Sequence, residues 1–176
     1  MASWLIPLAA LAALVAALVA AFGMSSAKSI AVWQLVGGVT ILLGWIISLT
    51  QPSIAPTSLV TVASSLGVAC LAVISGVLLW RDQVLGAKLS IVAQTLQVAW
   101  ISLPLAQFGS TLGPTIGPRL TAASISFELG FFGRGGFSCA PTGYRFPLDI
   151  AVNVLALIAL FALFRLERSR ASHAAA

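Results

Sequence analysis

Long apolar runs interrupted by short polar breaks dominate the pattern along the chain. Requiring about 20 apolar residues to match a ~30 Å hydrocarbon layer places five helical spans at residues 4–22, 30–49, 59–80, 89–108 and 147–164. The second ends before Gln51-Pro52, and the third stops at Arg81-Asp82, where two charges are costly in lipid. Pro104 leaves the end of the fourth kinked or frayed, because proline lacks a donor and clashes with the preceding turn. The fold class this predicts is an all-α integral membrane protein, a compact five-helix transmembrane bundle forming a single membrane domain over 1–176. A cleaved first segment leaves four spans. Retention is favoured, because the segment is longer than a usual signal core and no Lys or Arg precedes it.

Between the fourth and fifth spans lies an outside loop, 109–146, too long to be structureless. Its start, Leu112 to Leu120, contains two Gly-Pro pairs and reads as a constrained turn region. Further on, Ile125, Phe127, Leu129 and Phe131 alternate with Ser124, Ser126, Glu128 and Gly130, which predicts a half-buried strand. Gly133 to Gly136 then supplies a reversal, and Phe137 to Phe146 returns beside the first strand, giving a short β-hairpin over the bundle's outer mouth.

Composition supports the same class, with 60% hydrophobic and 7% charged residues among 176. A soluble domain carries roughly a quarter charged residues. Charge sets the orientation. Lys28, Arg81, Lys88, Arg165, Arg168 and Arg170 fall on one side of the spans, and Arg119, Arg134 and Arg145 on the other. The positive-inside rule therefore predicts an outside N-terminus and a cytoplasmic tail, 165–176, and the expected location is a bacterial inner membrane.

Candidate chemistry is sparse. Ala9, Ala13, Ala17 and Ala21 form a smooth helix-packing face, and Gly37, Gly38, Gly67 and Gly76 suit equally close packing. Trp4 and Trp80 read as interface anchors, and Trp45 and Trp100 as core filling. Gln34, Gln94, Gln97 and Asn153 are amides inside spans, so they demand partners as packing contacts or as a polar pocket. The outside recognition surface comprises Arg119, Phe127, Glu128, Phe131, Arg134, Cys139, Tyr144, Arg145 and Asp149, with Glu128 and Asp149 available to the arginines. Arg145 and Asp149 form an i,i+4 pair if the last helix starts early.

Catalytic and metal sites are not predicted. The single histidine, His173, lies on the opposite side from Cys139, and no ligand cluster exists for zinc, haem or iron–sulfur. Nor does Gly133 to Gly136 match a phosphate-binding or dinucleotide loop. No cofactor is therefore expected from this chain, although bound lipid is admitted. The expected partners are membrane lipids and other membrane protein subunits, with no nucleic acid. The leading function is a noncatalytic accessory or assembly subunit of a membrane complex. Its alternatives are a small transporter with an amide-lined path and an outside-facing membrane enzyme using Glu128, Asp149 or Cys139.

Overall fold

The described residues open with two apolar helices that pack through their smallest residues. In the computed structural model, which describes residues 25–49, 59–140 and 143–174, α1 runs over Ser26–Leu49 and α2 over Leu59–Trp80. A Cβ on Gly38 would lie 2.9 Å from the Ala69 carbonyl oxygen, and one on Gly76 would lie 3.0 Å from that of Ala31. These two glycines therefore let the backbones approach, whereas Gly67 faces open space. Gln34 lies buried at this contact. Its Oε1 accepts from Ser75 Oγ at 3.2 Å and Ser90 Oγ at 2.9 Å, so its carbonyl is satisfied within the helix packing.

After α2, a turn through Arg81 and Asp82 leads to α3, Val84–Val98. The predicted fourth span continues as helix to residue 108, but the observed helix ends at Val98 and the backbone becomes extended. Strand β1 covers Ala99–Leu103 and β2 covers Ala106–Thr121. Pro104 biases its predecessor toward extended backbone, and Trp100 and Ile101 suit a strand. A hydropathy window cannot see this change, because it counts apolar residues without regard to their period.

Strand β3, Ile125–Cys139, pairs antiparallel with β2 in an unbroken register from Ala106↔Cys139 to Leu120↔Ile125. The hairpin is therefore much longer than expected, and its reversal lies near residues 122–124 rather than in Gly133 to Gly136. The Gly-Pro segment is strand, not turn. Ile116 N–H donates to Asn153 Oδ1, which shows that even-numbered residues of β2 direct their nitrogens away from β3. Pro114 and Pro118 share that phase, so neither removes a hydrogen bond from the β2–β3 ladder. Gly136, with φ of +135°, carries β3 over α2, where Phe137 N–H donates to Ser64 Oγ at 2.8 Å.

The predicted fifth span also divides. Residues Asp149–Val152 form β4, and only from Val154 does helix α4 begin, running to Ala174 through the segment expected to be a cytoplasmic tail. The four strands make one antiparallel sheet in the order β1-β4-β2-β3, with β1 also paired to β2. α4 packs beside α3 and α1, and Leu163, Ala159, Leu79, Ile30 and Ala31 share one core cluster.

The molecule is thus a mixed α/β globular fold, not an all-α five-helix bundle. Among the described residues, two helical stretches, Ser26–Ile46 and Leu59–Trp80, are long and apolar enough to cross a membrane. The end of the fourth predicted span, the start of the fifth and much of the loop between them build the sheet instead. The multi-pass reading falls with those spans. With it go the inner-membrane location and its outside N-terminus, the lipid and membrane-subunit partners, and the accessory-subunit function. The expected first span and its face of Ala9, Ala13, Ala17 and Ala21 lie outside the described residues.

Candidate functional site

Strand pairing closes on itself around β1, β4 and β2. β1 pairs with β4 over Ala99↔Val152 to Ser102↔Asp149. The start of β2 returns onto β1 at Ile101↔Phe108, and its end meets β4 at Arg119↔Ala151. Glycines stand where β2 comes closest to its neighbours. Gly109 lies under the Trp100 ring, and Gly117 lies against the Val152 carbonyl. The strands of this circuit line a half-open cavity of about 540 Å³, with α3, the start of α4 and the Tyr144 to Pro147 segment completing its wall.

A charged cluster sits on this wall. Arg119 donates from Nε to Asp149 Oδ1 at 2.9 Å and from Nη2 to Asp149 Oδ2 at 2.6 Å, a bidentate pair. Its Nη1 reaches Glu128 Oε2 at 3.4 Å. Register explains the arrangement. Arg119 lies opposite Ala151 on one side and Ser126 on the other, so Asp149 and Glu128 are its diagonal neighbours on the same face. The Asp149 hydrogen bonds raise the Arg119 pKa above its ordinary value. Partial burial opposes the shift, and the charges of Asp149 and Glu128 reinforce it.

Deeper in the cavity the polar groups are uncharged. Asn153 is 7% exposed and serves as the N-cap of α4, its Oδ1 accepting from Leu155 N–H at 3.1 Å and Ala156 N–H at 3.4 Å. The same oxygen accepts from Ile116 N–H at 3.4 Å, tying the cap to the middle of β2. Ser102 Oγ donates to the Pro147 carbonyl at 2.8 Å and fixes the aromatic segment, where Tyr144 and Phe146 meet edge to face at 5.4 Å. Asn153→Ala removes the cap and the β2 tie together. Its expected cost is about 1.5 kcal/mol, read as a lowered midpoint in urea unfolding.

The amide set expected to act together is split. Gln97 and Asn153 line the cavity, while Gln34 is held in the helix packing and Gln94 is buried on α3 away from the cavity wall. This separation removes the basis for an amide-lined transport path. Of the recognition surface, Arg119, Glu128, Tyr144 and Asp149 converge at the cavity. Phe127 is exposed on the opposite face of β3, Cys139 is a free exposed thiol opposite Ala106, and Arg145 is exposed. Arg119, not Arg145, takes Asp149. Phe131 and Arg134 occupy β3 opposite Pro114 and Thr111, and their side chains lie outside the described set.

The membrane-enzyme reading required Glu128, Asp149 or Cys139 to converge with one of the arginines. Both acids do converge on Arg119 and Cys139 is not part of the cavity wall, but the reading falls with the membrane spans it rested on. Sequence reasoning missed Trp100, Ser102, Gln107, Thr115 and Gly117 as lining residues. For Gln107, Thr115 and Gly117 the signal was an alternation in β2, where Gln107, Gly109, Thr111, Gly113, Thr115, Gly117 and Arg119 hold every odd position.

Fold and site together define a mixed α/β globular protein with a half-open polar–aromatic cavity. Comparison with family models, curated proteins and solved structures gives no match, so the functional reading rests on the site's own geometry.

Proposed function

We propose that this chain is a small-molecule-binding protein whose ligand occupies the cavity between β1, β2 and β4. The cavity itself carries the proposal: its volume of about 540 Å³ falls within the range typical of ligand sites. Apolar and aromatic walls are combined with a few convergent polar groups, the usual division between affinity and orientation. Sheet pairing holds the strand-borne part of the wall, so binding has little ordering to oppose it.

Ala151 provides the test, because it lines the cavity from β4 and is paired on both strand edges. Ala151→Phe should fill the cavity without removing a polar contact. Native mass spectrometry of the purified full-length chain is expected to show a noncovalent small-molecule adduct that is lost in this variant. Adducts of equal occupancy in the two proteins would reject the site. An adduct-free wild type whose melting temperature no member of a broad metabolite library shifts would reject the function.

A further inference from the structure

The cavity's charges oppose those of the chain as a whole, and we infer that its ligand is a small organic cation bearing a hydrogen-bond acceptor at the end remote from its charge. This inference rests on the binding reading above and names the ligand class for that site. Among the described residues, one cation, Arg119, and two carboxylates, Glu128 and Asp149, line the cavity and give a net charge of −1, while the chain carries +5. An anionic ligand meets unfavourable surroundings here. Asp149 and Glu128 take three of the five guanidinium N–H groups of Arg119, so an anion approaching the remaining two faces both carboxylates.

A cation meets the opposite situation. Glu128 holds Arg119 only through Oε2 at 3.4 Å, and no described residue engages its Oε1. Its side chain lines the cavity and is 35% exposed, so a ligand can reach it. Tyr144, Phe146 and Trp100 line the same cavity. Aromatic rings and a carboxylate in one cavity suit an ammonium group, which gains from both ring quadrupole and charge. At the buried end, Asn153 has committed its Oδ1 to three backbone N–H groups. The amide group left to it is Nδ2, a donor without a described partner on a residue 7% exposed. A ligand carbonyl or ester oxygen satisfies that donor, and a second ammonium does not.

Three probes of similar length separate these features in calorimetric titrations of the full chain. Acetylcholine carries both cation and acceptor, 3,3-dimethylbutyl acetate keeps the acceptor without charge, and pentyltrimethylammonium keeps the charge without the acceptor. Acetylcholine is expected to bind roughly tenfold more tightly than the uncharged ester and about fivefold more tightly than the alkyl cation. Glu128→Gln should weaken acetylcholine about fivefold and leave the uncharged ester unchanged. Glu167→Gln, an equal charge change on α4 away from the cavity, should alter neither.

Equal affinity for acetylcholine and the uncharged ester, or equal weakening by both charge variants, would overturn the cation assignment. Binding that Ala151→Phe abolishes would still support a small-molecule site in either case. If none of the probes binds, the cation assignment also falls. The native adduct comparison then decides separately whether the binding function falls with it.

Discussion

Arg119→Met is expected to destabilise the protein by about 2 kcal/mol, and more than Asp149→Asn does, although the two residues share one ion pair. The asymmetry follows from burial. Asp149 retains 11% side-chain exposure and Arg119 retains 39%. Removing the guanidinium strands a carboxylate that water reaches poorly, with Glu128 on the diagonal adding like charge. Removing the carboxylate charge leaves an arginine that still reaches solvent and Glu128, so about half the loss is expected. For a chain of this length, the first change corresponds to a fall in melting temperature of roughly 4–8 °C.

A double-mutant cycle should give a coupling of about 1–2 kcal/mol. A larger loss for Asp149→Asn would contradict the assignment of Asp149 as the dependent partner. The sign of the pH effect also follows. Because folding raises the Arg119 pKa, its contribution is complete below its unfolded pKa and declines only as pH rises through the higher folded value. Between neutral pH and that strongly alkaline limit, arginine titration should therefore leave the pair intact.

Part of this site was legible along the chain, and its assembly was not. Arg119, Glu128 and Asp149 stood out as rare charges in an apolar sequence, and their mutual pairing was one expected outcome. Which arginine took Asp149 depended on a register linking residues 30 apart, and spacing alone favoured Arg145. The alternation over residues 125–129 has the period of a strand, but it does not say which face is covered. Ile125, Phe127 and Leu129 are 80%, 70% and 76% exposed, while Glu128 turns toward the cavity. Asn153 shows the same limitation from the helical side. Counted within an apolar run, it resembled an amide one turn inside a span, yet Asn ahead of a helix is also a capping signal. Length and mean hydropathy recognised α1 and α2. They failed between Ala99 and Val152, where the apolar residues serve strands rather than a helix.

Gly117→Ala is expected to be the most damaging single-methyl change in the sheet. Its Cβ would overlap the carbonyl of Val152, a backbone group that cannot rotate aside as a side chain can. Val152 ends β4, which is paired with β1 on one edge and β2 on the other, so relief requires moving a strand. The expected cost is about 3 kcal/mol, or roughly 6–12 °C in melting temperature. Gly67→Ala supplies the opposite case: its helical position has open space around it, so added helix propensity should stabilise by about 0.5–1 kcal/mol. A Gly117→Ala protein melting within about a degree of wild type would show that this approach of β2 to β4 is not needed for the native fold. If the variant folds with β4 displaced, Arg119 and Asp149 should lose their diagonal alignment, and ligand affinity should fall even below the melting transition. Comparing binding with melting thus separates loss of the whole fold from loss of the strand pairing that aligns the site.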